Sequence, residues 1–505
     1  MRKLLAALVC AGALNLALAA LGVTARSPYK PLLWLEGAFV LLAVAARGSG
    51  ESHDGWIEKI GSVRFAALLA VAILVAYGQS FFVNFQHHDW THRHISASLT
   101  SATAFAHLFS VRQADGMYRP LGFVSYWVDY RVFGEKLWGY HVQSVLLHVV
   151  NALLLAAMAI RLGFPRWTAR IAAALFGLGA IEFEAVLWPA ARFDLLAACF
   201  VLVALLCFLK YWDAGGIGWL CGSLAAFAVA VLNKETGYAF VLIAAALVCT
   251  HRVWGRERMR VTLFTVLLLA LAAGLIAVRY CVYGDLGGYA TVDLAITWKS
   301  VYSLLVNTLT LSMFGINTSV DGSWMSCAIL IAFAVVVAAA AVLYRGDRRG
   351  RMLALALLCV LSAAPAVNVI GWIRPSLLHS RHEYLAAMWM SLLAAAALAQ
   401  CGKRWLATSA LIAVSIAGLN YNVSVQRDMF QRAETIAQKV SADWEREGHP
   451  AVIQVTGVPD DANGVFYFGD ELRRRIEEKT AGARIPGLRP LSYAWDDRQR
   501  TLVRR

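Results

Sequence analysis

Long apolar runs alternate with short polar segments along most of the chain, up to about residue 422. Most of these runs have the roughly 20 residues that an α-helix needs to cross a bilayer. We therefore predict thirteen membrane spans, at 3–24, 30–47, 64–83, 139–161, 170–188, 193–212, 216–232, 236–250, 259–281, 325–344, 352–372, 383–400 and 404–422.

The basic loops orient these spans. The apolar segment 298–320 is interpreted as an interfacial or re-entrant helix rather than a span, because the basic loops then all lie on one side of the membrane. Those loops contain Arg161/Arg166/Arg170, Arg252/Arg256/Arg258/Arg260, Arg345/Arg348/Arg349/Arg351 and Lys403/Arg404. Since cytoplasmic loops carry the excess of Lys and Arg, we predict a cytoplasmic N-terminus and an external C-terminus. The first run also has features of a signal peptide, whose cleavage would leave every later loop on the same side.

Three regions follow from this arrangement. Residues 1–63 hold two N-terminal spans and a cytoplasmic loop, and residues 64–422 form the membrane core with a large external loop at 84–138. Residues 423–505 form an external tail in which basic and acidic residues nearly balance. We expect helices in the external loop.

The tail differs in pattern from the membrane core. We predict a helix at about 429–447, strands at Ala451–Val458 and Val465–Phe468, and a further helix from Asp470. The fold class is thus an all-α polytopic membrane protein with a small external α/β appendage.

Composition agrees with this assignment. Of 505 residues, 59% are hydrophobic and only 15% are charged, against about 25% charged in a typical soluble domain. The net charge of +14 arises mostly in the loops between apolar runs, which is the membrane-orienting pattern and not a nucleic-acid-binding one. The nine cysteines include no C-x-x-C pair and are interpreted as small core residues.

Charged side chains recur at the predicted external ends of the spans. They are Asp89, Glu182, Glu184, Arg192, Asp194, Lys234, Glu235, Arg374, His379, Arg381, His382 and Glu383. Ionisable groups near a bilayer are costly and are functional candidates by default. Because they share one side, we expect them to converge on one external cavity. Carboxylates there suit a general base, and Arg and Lys suit a phosphate.

Structural roles for the same residues remain open. Glu182 or Glu184 could pair with Arg192 to orient a turn, and Arg192–Asp194 and Lys234–Glu235 could be ion pairs. The loop also contains four closely spaced histidines, at 87, 88, 92 and 94. They lack the helical spacing or the fixed carboxylate typical of a metal site, so no metal and no cofactor are predicted.

Spaced motifs give the chain a resemblance to a known superfamily. The motifs are Tyr118-Arg119-Pro120-Leu121, Ser125-Tyr126, Asp129-Tyr130, Phe133-Gly134, Gly139-Tyr140-His141, Leu147-His148, Asn151-Ala152-Leu153-Leu154, Glu184-Ala185-Val186, Lys234-Glu235-Thr236, and Arg279 followed by Gly284–Tyr289. They resemble the membrane core of protein O-mannosyltransferase-like enzymes of the C-type glycosyltransferase (GT-C) superfamily. These include the bacterial relatives of the transmembrane O-mannosyltransferases that bear TPR repeats.

The resemblance implies a GT-C fold and a chemistry. Such enzymes take a monosaccharide from a polyprenyl-phosphate carrier on the external face of the membrane, generally with inversion. The acid of the first external loop, Asp89 here, is implied as the base, and Glu184 is the second-loop acid. Our hypothesis for the remaining site residues assigns acceptor or transition-state support to Glu182, His88, Tyr118 and Arg119, and the donor phosphate to Arg192, Lys234 and Arg381.

Two departures from the family pattern leave the acceptor open. His88 stands where the family has the first acid of F-x-x-D-D, and Gly179–Glu184 replaces H-P-I-H-x-E. Glycan, lipid and protein acceptors all remain open, and we expect a bacterial inner membrane with the site facing the periplasm. The rival hypotheses are an O-antigen polymerase or ligase, a transporter or lipid flippase, and a non-catalytic scaffold.

Overall fold

A computed structural model describes residues 61–83, 85, 87–110, 117–250, 256–284, 347–367, 379–399 and 404–448, and short stretches beyond residue 450. The predicted spans 3–24, 30–47 and 325–344 and the segment 298–320 lie outside the described residues.

The described residues are mostly helical. Their helices are α1 (Ser62–Ala76), α2 (His87–Ser98), α3 (Ala102–Ser110), α4 (Pro120–Phe133), α5 (Leu137–Arg161), α6 (Arg166–Gly177), α7 (Phe183–Leu187), α8 (Arg192–Ala214), α9 (Ile217–Asn233), α10 (Ala239–Thr250), α11 (Arg256–Tyr283), α12 (Asp347–Ala363), α13 (Tyr384–Leu398) and α14 (Arg404–Arg446). The strands are β1 (Ile453–Thr456), β2 (Leu491–Asp496) and β3 (Thr501–Arg504).

Three helical segments of the described part have both the length and the apolar composition to cross a membrane: Leu137–Arg161, Pro189–Ala214 and Glu257–Tyr283. They correspond to the spans predicted at 139–161, 193–212 and 259–281. Shorter apolar helices cover Ser62–Ala76, Ile217–Asn233, Glu235–Cys249 and Leu353–Ala366. The helical membrane class is therefore confirmed.

Small side chains let the core helices pack closely. Helix α8 packs against α5 and α9, while α13 packs against α6 and α12. In α13 the alanines Ala386, Ala387 and Ala395 are fully buried, as is the large Trp389. Small residues allow the backbones of membrane helices to approach one another, and this packing fixes the positions of the loops that join the helices.

The segment 170–188, predicted as one span, is not one helix. Helix α6 ends at Gly177, and after a turn the short α7 leads to a 3-10 turn at Pro189–Ala191. Gly177 and Gly179 interrupt the apolar run with helix-disfavouring residues, and Pro189 follows directly after it. The interruption places Glu182 in the turn before α7 and Glu184 in the first turn of α7.

The last predicted span and the predicted tail helix form one element. Helix α14 runs for 43 residues without a break at residue 422. Beyond it, β1 pairs in parallel with β2, and β2 pairs antiparallel with β3. Strand β1 lies within the predicted strand Ala451–Val458, whereas the predicted strand Val465–Phe468 lies outside the described residues.

Candidate active site

Asp89 joins the first external loop to the second. It lies in the first turn of α2, where the helix dipole favours a carboxylate, and its side chain is fully buried. Its Oδ1 accepts a hydrogen bond from the phenol of Tyr126 at 2.7 Å and another from the backbone amide of Ala190 at 2.6 Å. The loop acid is therefore held against the turn that follows α7.

An aromatic cluster surrounds this carboxylate. The ring of His92 stacks on Phe193 with centroids 5.1 Å apart and meets the edges of Phe123 and Tyr126. Burial raises the pKa of Tyr126 well above its usual value, and the Asp89 carboxylate acts in the same direction. The Tyr126 phenol therefore stays protonated and can donate its hydrogen bond to Asp89.

Of the four loop histidines, the structure describes the side chains of His92 and His94. His92 packs within the aromatic cluster, and the side chains of His87 and His88 lie outside the described residues. No group of three His, Cys, Asp or Glu side chains suited to a metal ion occurs among the described residues.

Arg192 is bound on several sides within the protein. It is fully buried, its guanidinium contacts the Asp129 carboxylate and the Gln143 amide oxygen, and Nη2 donates to the carbonyl of Tyr140 at 2.8 Å. The guanidinium carbon also lies 4.6 Å from the ring centre of Tyr126. The suggested pairing of Arg192 with Asp194, Glu182 or Glu184 is thus replaced by a pair with Asp129.

Glu184 binds Arg381 through both carboxylate oxygens. Nη1 of Arg381 donates to Oε1 at 2.6 Å, and the backbone amide of the same residue donates to Oε2 at 2.9 Å. The guanidinium also lies 4.9 Å from the ring centre of Trp188. The Glu184-Ala185-Val186 motif therefore binds the loop that precedes α13, although Glu184 and Arg381 are almost 200 residues apart in sequence.

Lys234 pairs with Asp194 rather than with its neighbour Glu235. The ammonium nitrogen lies 2.5 Å from Oδ2 of Asp194, and both side chains are almost fully buried. This pair joins the start of α8 to the turn between α9 and α10. It corrects the suggested Lys234–Glu235 pair.

Glu235 bridges two arginines. One oxygen accepts hydrogen bonds from Arg119 at 2.8 and 3.2 Å, and the other accepts one from Arg279 at 2.7 Å. Burial alone would raise the pKa of Glu235, but the two guanidinium groups outweigh it and lower the pKa to about 2. Glu235 was among the charged candidates and Arg279 among the motif residues, but neither was assigned a role in the site from the sequence. The available signal was the arginine near the end of an otherwise apolar helix.

Three cations converge near one histidine. His382 is buried, and burial lowers its pKa well below the usual value, with Lys234, Arg381 and Arg119 contributing in the same direction. These cations come from the turn after α9, the loop before α13 and the start of α4. Among the described residues, the loops that carry these cations therefore lie near one another.

Glu182 has different neighbours from Glu184. It is buried and lines a small pocket, shared with Gly179, Ser391 and Ser415. Within the described part of the chain, its Oε2 has no hydrogen-bond partner. The two carboxylates of the second loop therefore do not share one set of contacts.

Tyr118 anchors the loop that precedes α4. Its hydroxyl donates to the carbonyl of Phe109 at 3.1 Å, and its ring packs edge-on against Tyr283. The adjacent Arg119 belongs to the Glu235 bridge described above. These contacts place Arg119 among the cations near His382.

Fold and site together define the class: a helical membrane protein in which buried carboxylates and cations from distant loops form one polar cluster. The predicted resemblance to GT-C glycosyltransferases is confirmed. Residues 119–277 match the family model described as dolichyl-phosphate-mannose-protein mannosyltransferase. This region contains Tyr126, Glu184, Arg192 and Lys234, whereas Asp89 and Arg381 lie outside it.

The similar curated proteins are O-mannosyltransferases. The chain is 34% identical over 134 residues to human protein O-mannosyl-transferase TMTC2, covering 25% of this chain and 16% of that protein. It is 33% identical over 137 residues to Tmtc2 of Drosophila melanogaster, covering 26% and 15%, respectively. It is 28% identical over 213 residues to mouse TMTC3, covering 39% and 22%. The match thus spans less than a quarter of the length of each relative.

Two solved structures share a more distant likeness. ArnT from Cupriavidus metallidurans bound to undecaprenyl phosphate aligns with a TM-score of 0.38 and 15% identity, covering 88% of this chain and 94% of ArnT. Arabinofuranosyltransferase AftD from Mycobacteria aligns with a TM-score of 0.44 and 17% identity, covering 86% of this chain and 32% of AftD.

Proposed function

We propose that the protein transfers a monosaccharide from a polyprenyl-phosphate carrier to an acceptor hydroxyl, on the external face of the membrane and with inversion. The observation that carries the proposal is the hydrogen bond from the Ala190 amide to Asp89, which joins the acid of the first loop to the turn that follows α7. The family match over residues 119–277, whose description includes dolichyl-phosphate-mannose, supports the donor class.

In this mechanism Asp89 is the general base. Its carboxylate takes the proton of the acceptor hydroxyl while the hydroxyl oxygen attacks the anomeric carbon from the face opposite the phosphate. The bond from that carbon to the phosphate oxygen breaks, and the carrier phosphate leaves with the bonding electrons. The product is a glycoside of inverted configuration, and Asp89 later returns the proton to water.

Lys234 and Arg381 are assigned to the departing phosphate. Both lie in the cluster around His382, and each is held by a carboxylate, Asp194 or Glu184. Preorganised cations of this kind stabilise charge that develops in the transition state, typically by about 3–4 kcal/mol for each donor. Arg192 is not assigned to the phosphate, because Asp129 and Gln143 already bind its guanidinium.

Glu184 and the remaining residues support this reaction. Glu184 orients Arg381, and Arg119 adds positive charge beside it through the Glu235 bridge. We keep Glu182, His88 and Tyr118 as candidate supports of the acceptor. The acceptor itself is a glycan, a lipid or a protein hydroxyl, and no cofactor is required by the scheme.

The proposal includes the predicted membrane topology. Thirteen spans would place the Asp89 loop and the tail 423–505 on the periplasmic face of a bacterial inner membrane. This arrangement is supported by the distribution of basic loops in the sequence. Residues 423–505 would then form a small external appendage beside the site.

The deciding experiment is transfer of label from polyprenyl-phosphate sugars (mannose, glucose, galactose and arabinose types) to an envelope extract, with purified full-length protein in lipid. We expect transfer by the wild type and a loss of about 100-fold or more with Asp89→Asn, in line with removal of a general base. Asp213→Asn is the matched control, because its side chain is 60% exposed at the far end of α8. Near-normal turnover of Asp89→Asn would contradict the assignment.

The same assay separates the rivals. Transfer only from a diphosphate-linked glycan would indicate a polymerase or ligase. Movement of label across sealed vesicles without a new glycosidic bond would indicate a transporter.

A further inference from the structure

We propose that Tyr126 is a positioning residue for Asp89 and that Arg192 holds the Tyr126 ring in place for this role. The inference rests on the proposed function, in which Asp89 is the base. It gives a role to the Ser125-Tyr126 and Asp129-Tyr130 motifs, which the mechanism above leaves without one.

The hydrogen bonds at Asp89 fix the orientation of its carboxylate. The Tyr126 phenol and the Ala190 amide both donate to the same oxygen, Oδ1, at 2.7 and 2.6 Å. Two donors from different elements, α4 and the turn after α7, restrict rotation of the carboxylate. Substitution of Tyr126 by Phe removes the phenol donor and leaves the amide donor in place.

The Tyr126 ring is itself held on its face and edges. The Arg192 guanidinium lies over the ring at 4.6 Å, and the rings of His92 and Phe193 meet it at 5.1 and 6.1 Å. Arg192 cannot follow a moving ring, because Asp129 and Gln143 bind its guanidinium. Asp129 is three residues after Tyr126 on α4, so both lie on the same face of that helix.

The hydrogen bond from Tyr126 affects the ionisation of the Asp89 carboxylate as well as its orientation. A hydrogen bond donated to an ionised carboxylate favours the ionised form, which is the form that accepts a proton. Among the described residues, the titratable and charged groups around the Asp89–Tyr126 pair include Asp129 from α4, Tyr140 from α5, Arg192 from the start of α8 and His92 from α2 itself. Removal of the phenol leaves these four in place.

The test is Tyr126→Phe in the purified full chain, assayed for sugar transfer over a range of pH. The substitution removes one hydroxyl and keeps the ring beneath Arg192. We expect kcat to fall about 10- to 100-fold, as for loss of a hydrogen bond to a charged group, with the donor KM unchanged. The acidic limb of the pH profile should move to higher pH, because the carboxylate is protonated more easily.

Tyr140→Phe is the matched control. Tyr140 packs in the same aromatic cluster, but its hydroxyl donates to the carbonyl of Gly134 at 3.0 Å and not to Asp89. Its pH profile should remain that of the wild type. An unchanged kcat and pH profile in Tyr126→Phe would overturn the inference, and so would a lower kcat with an unmoved profile, which indicates only a packing role.

A second variant tests the same idea without altering Tyr126. Arg192→Lys keeps the charge but loses the planar fork that binds Asp129 and Gln143 together. We expect a lower kcat and an unchanged donor KM. The acidic limb of the pH profile should move to higher pH, as in Tyr126→Phe. A raised donor KM with a normal pH profile would instead make Arg192 a phosphate ligand and overturn its assigned role.

Failure of the inference is distinguishable from failure of the proposed function. If Asp89→Asn is inactive while Tyr126→Phe behaves as the wild type, only the positioning role is lost. If Asp89→Asn is active, the proposed base itself is wrong.

Discussion

Nη1 of Arg381 lies 2.6 Å from Oε1 of Glu184, while the backbone amide of Arg381 occupies the other carboxylate oxygen. One residue thus meets both oxygens of a single carboxylate. The contact fixes the loop before α13 against the short helix α7. In the proposed mechanism, it also aims the guanidinium at the donor phosphate.

The first prediction concerns this contact. Glu184→Gln keeps the shape of the side chain but loses the charge that holds Arg381. We expect kcat/KM for the donor to fall about 10- to 100-fold, the usual cost of a charge-assisted hydrogen bond. Steady-state kinetics with a labelled donor measure it.

The control for this prediction is Glu135→Gln. Glu135 also pairs with an arginine, Arg93 at 2.6 Å, but its side chain is 69% exposed. Such surface pairs contribute little, so its kinetics should match the wild type. Equal kinetics for the two variants would mean that Glu184 has no part in turnover.

The positions of several helices could be predicted from the sequence, whereas the ion pairs could not. Helix α5, for example, corresponds to a continuous apolar run at 139–161, which is close to the observed bounds of the helix. The break after Gly177 was missed because the residues that follow are still largely apolar. Apolar length alone does not distinguish one span from a shorter helix followed by a turn.

The ion pairs suggested from the sequence were wrong for a physical reason. Asp194 lies two residues from Arg192 in α8, and side chains two apart on a helix point in different directions. Arg192 instead contacts Asp129, 63 residues earlier. Only tertiary packing brings them together, so no local pattern contains this information. The candidate residues were recognisable by their chemistry and position, but their partners were not.

The second prediction concerns Lys234. We expect Lys234→Ala to raise the donor KM, because it removes a cation assigned to the phosphate. It should also lower the free energy of unfolding by about 3–5 kcal/mol, since Asp194 is left buried without its partner.

A paired variant separates the two effects. Lys234→Ala combined with Asp194→Ala removes both charges and should recover part of the lost stability, measured by thermal unfolding in detergent. The donor KM should stay high in both variants. An unchanged KM in the single variant would remove Lys234 from the site.

The third prediction is a pH dependence at Glu235. Its folded-state pKa of about 2 lies below the usual value of 4.5, so its stabilising contribution is complete above about pH 4.5. That contribution is lost as the pH falls from about 4.5 to about 2. We expect Glu235→Gln to be less stable than the wild type at pH 7, by on the order of 3 kcal/mol.

The measurement is the unfolding temperature of both proteins between pH 7 and pH 3. The difference between them should narrow as the pH falls below about 4.5. The exposed Glu257, changed to Gln, should show no comparable difference at any pH. If the difference in unfolding temperature between the wild type and Glu235→Gln stays constant with pH, Glu235 is not held ionised by Arg119 and Arg279.

The last prediction concerns Gly237, in the 3-10 turn Glu235–Tyr238 that follows Lys234. A Cβ added there would lie 2.6 Å from backbone atoms of Ala230 and Val231, which cannot move aside as a side chain can. Gly237→Ala must therefore shift the turn, and we expect a loss of about 1–3 kcal/mol in stability together with a raised donor KM. Gly274→Ala is the control, because a Cβ there meets open space. If both variants keep the wild-type unfolding temperature and donor KM, the close packing of this turn does not position the Lys234 cation.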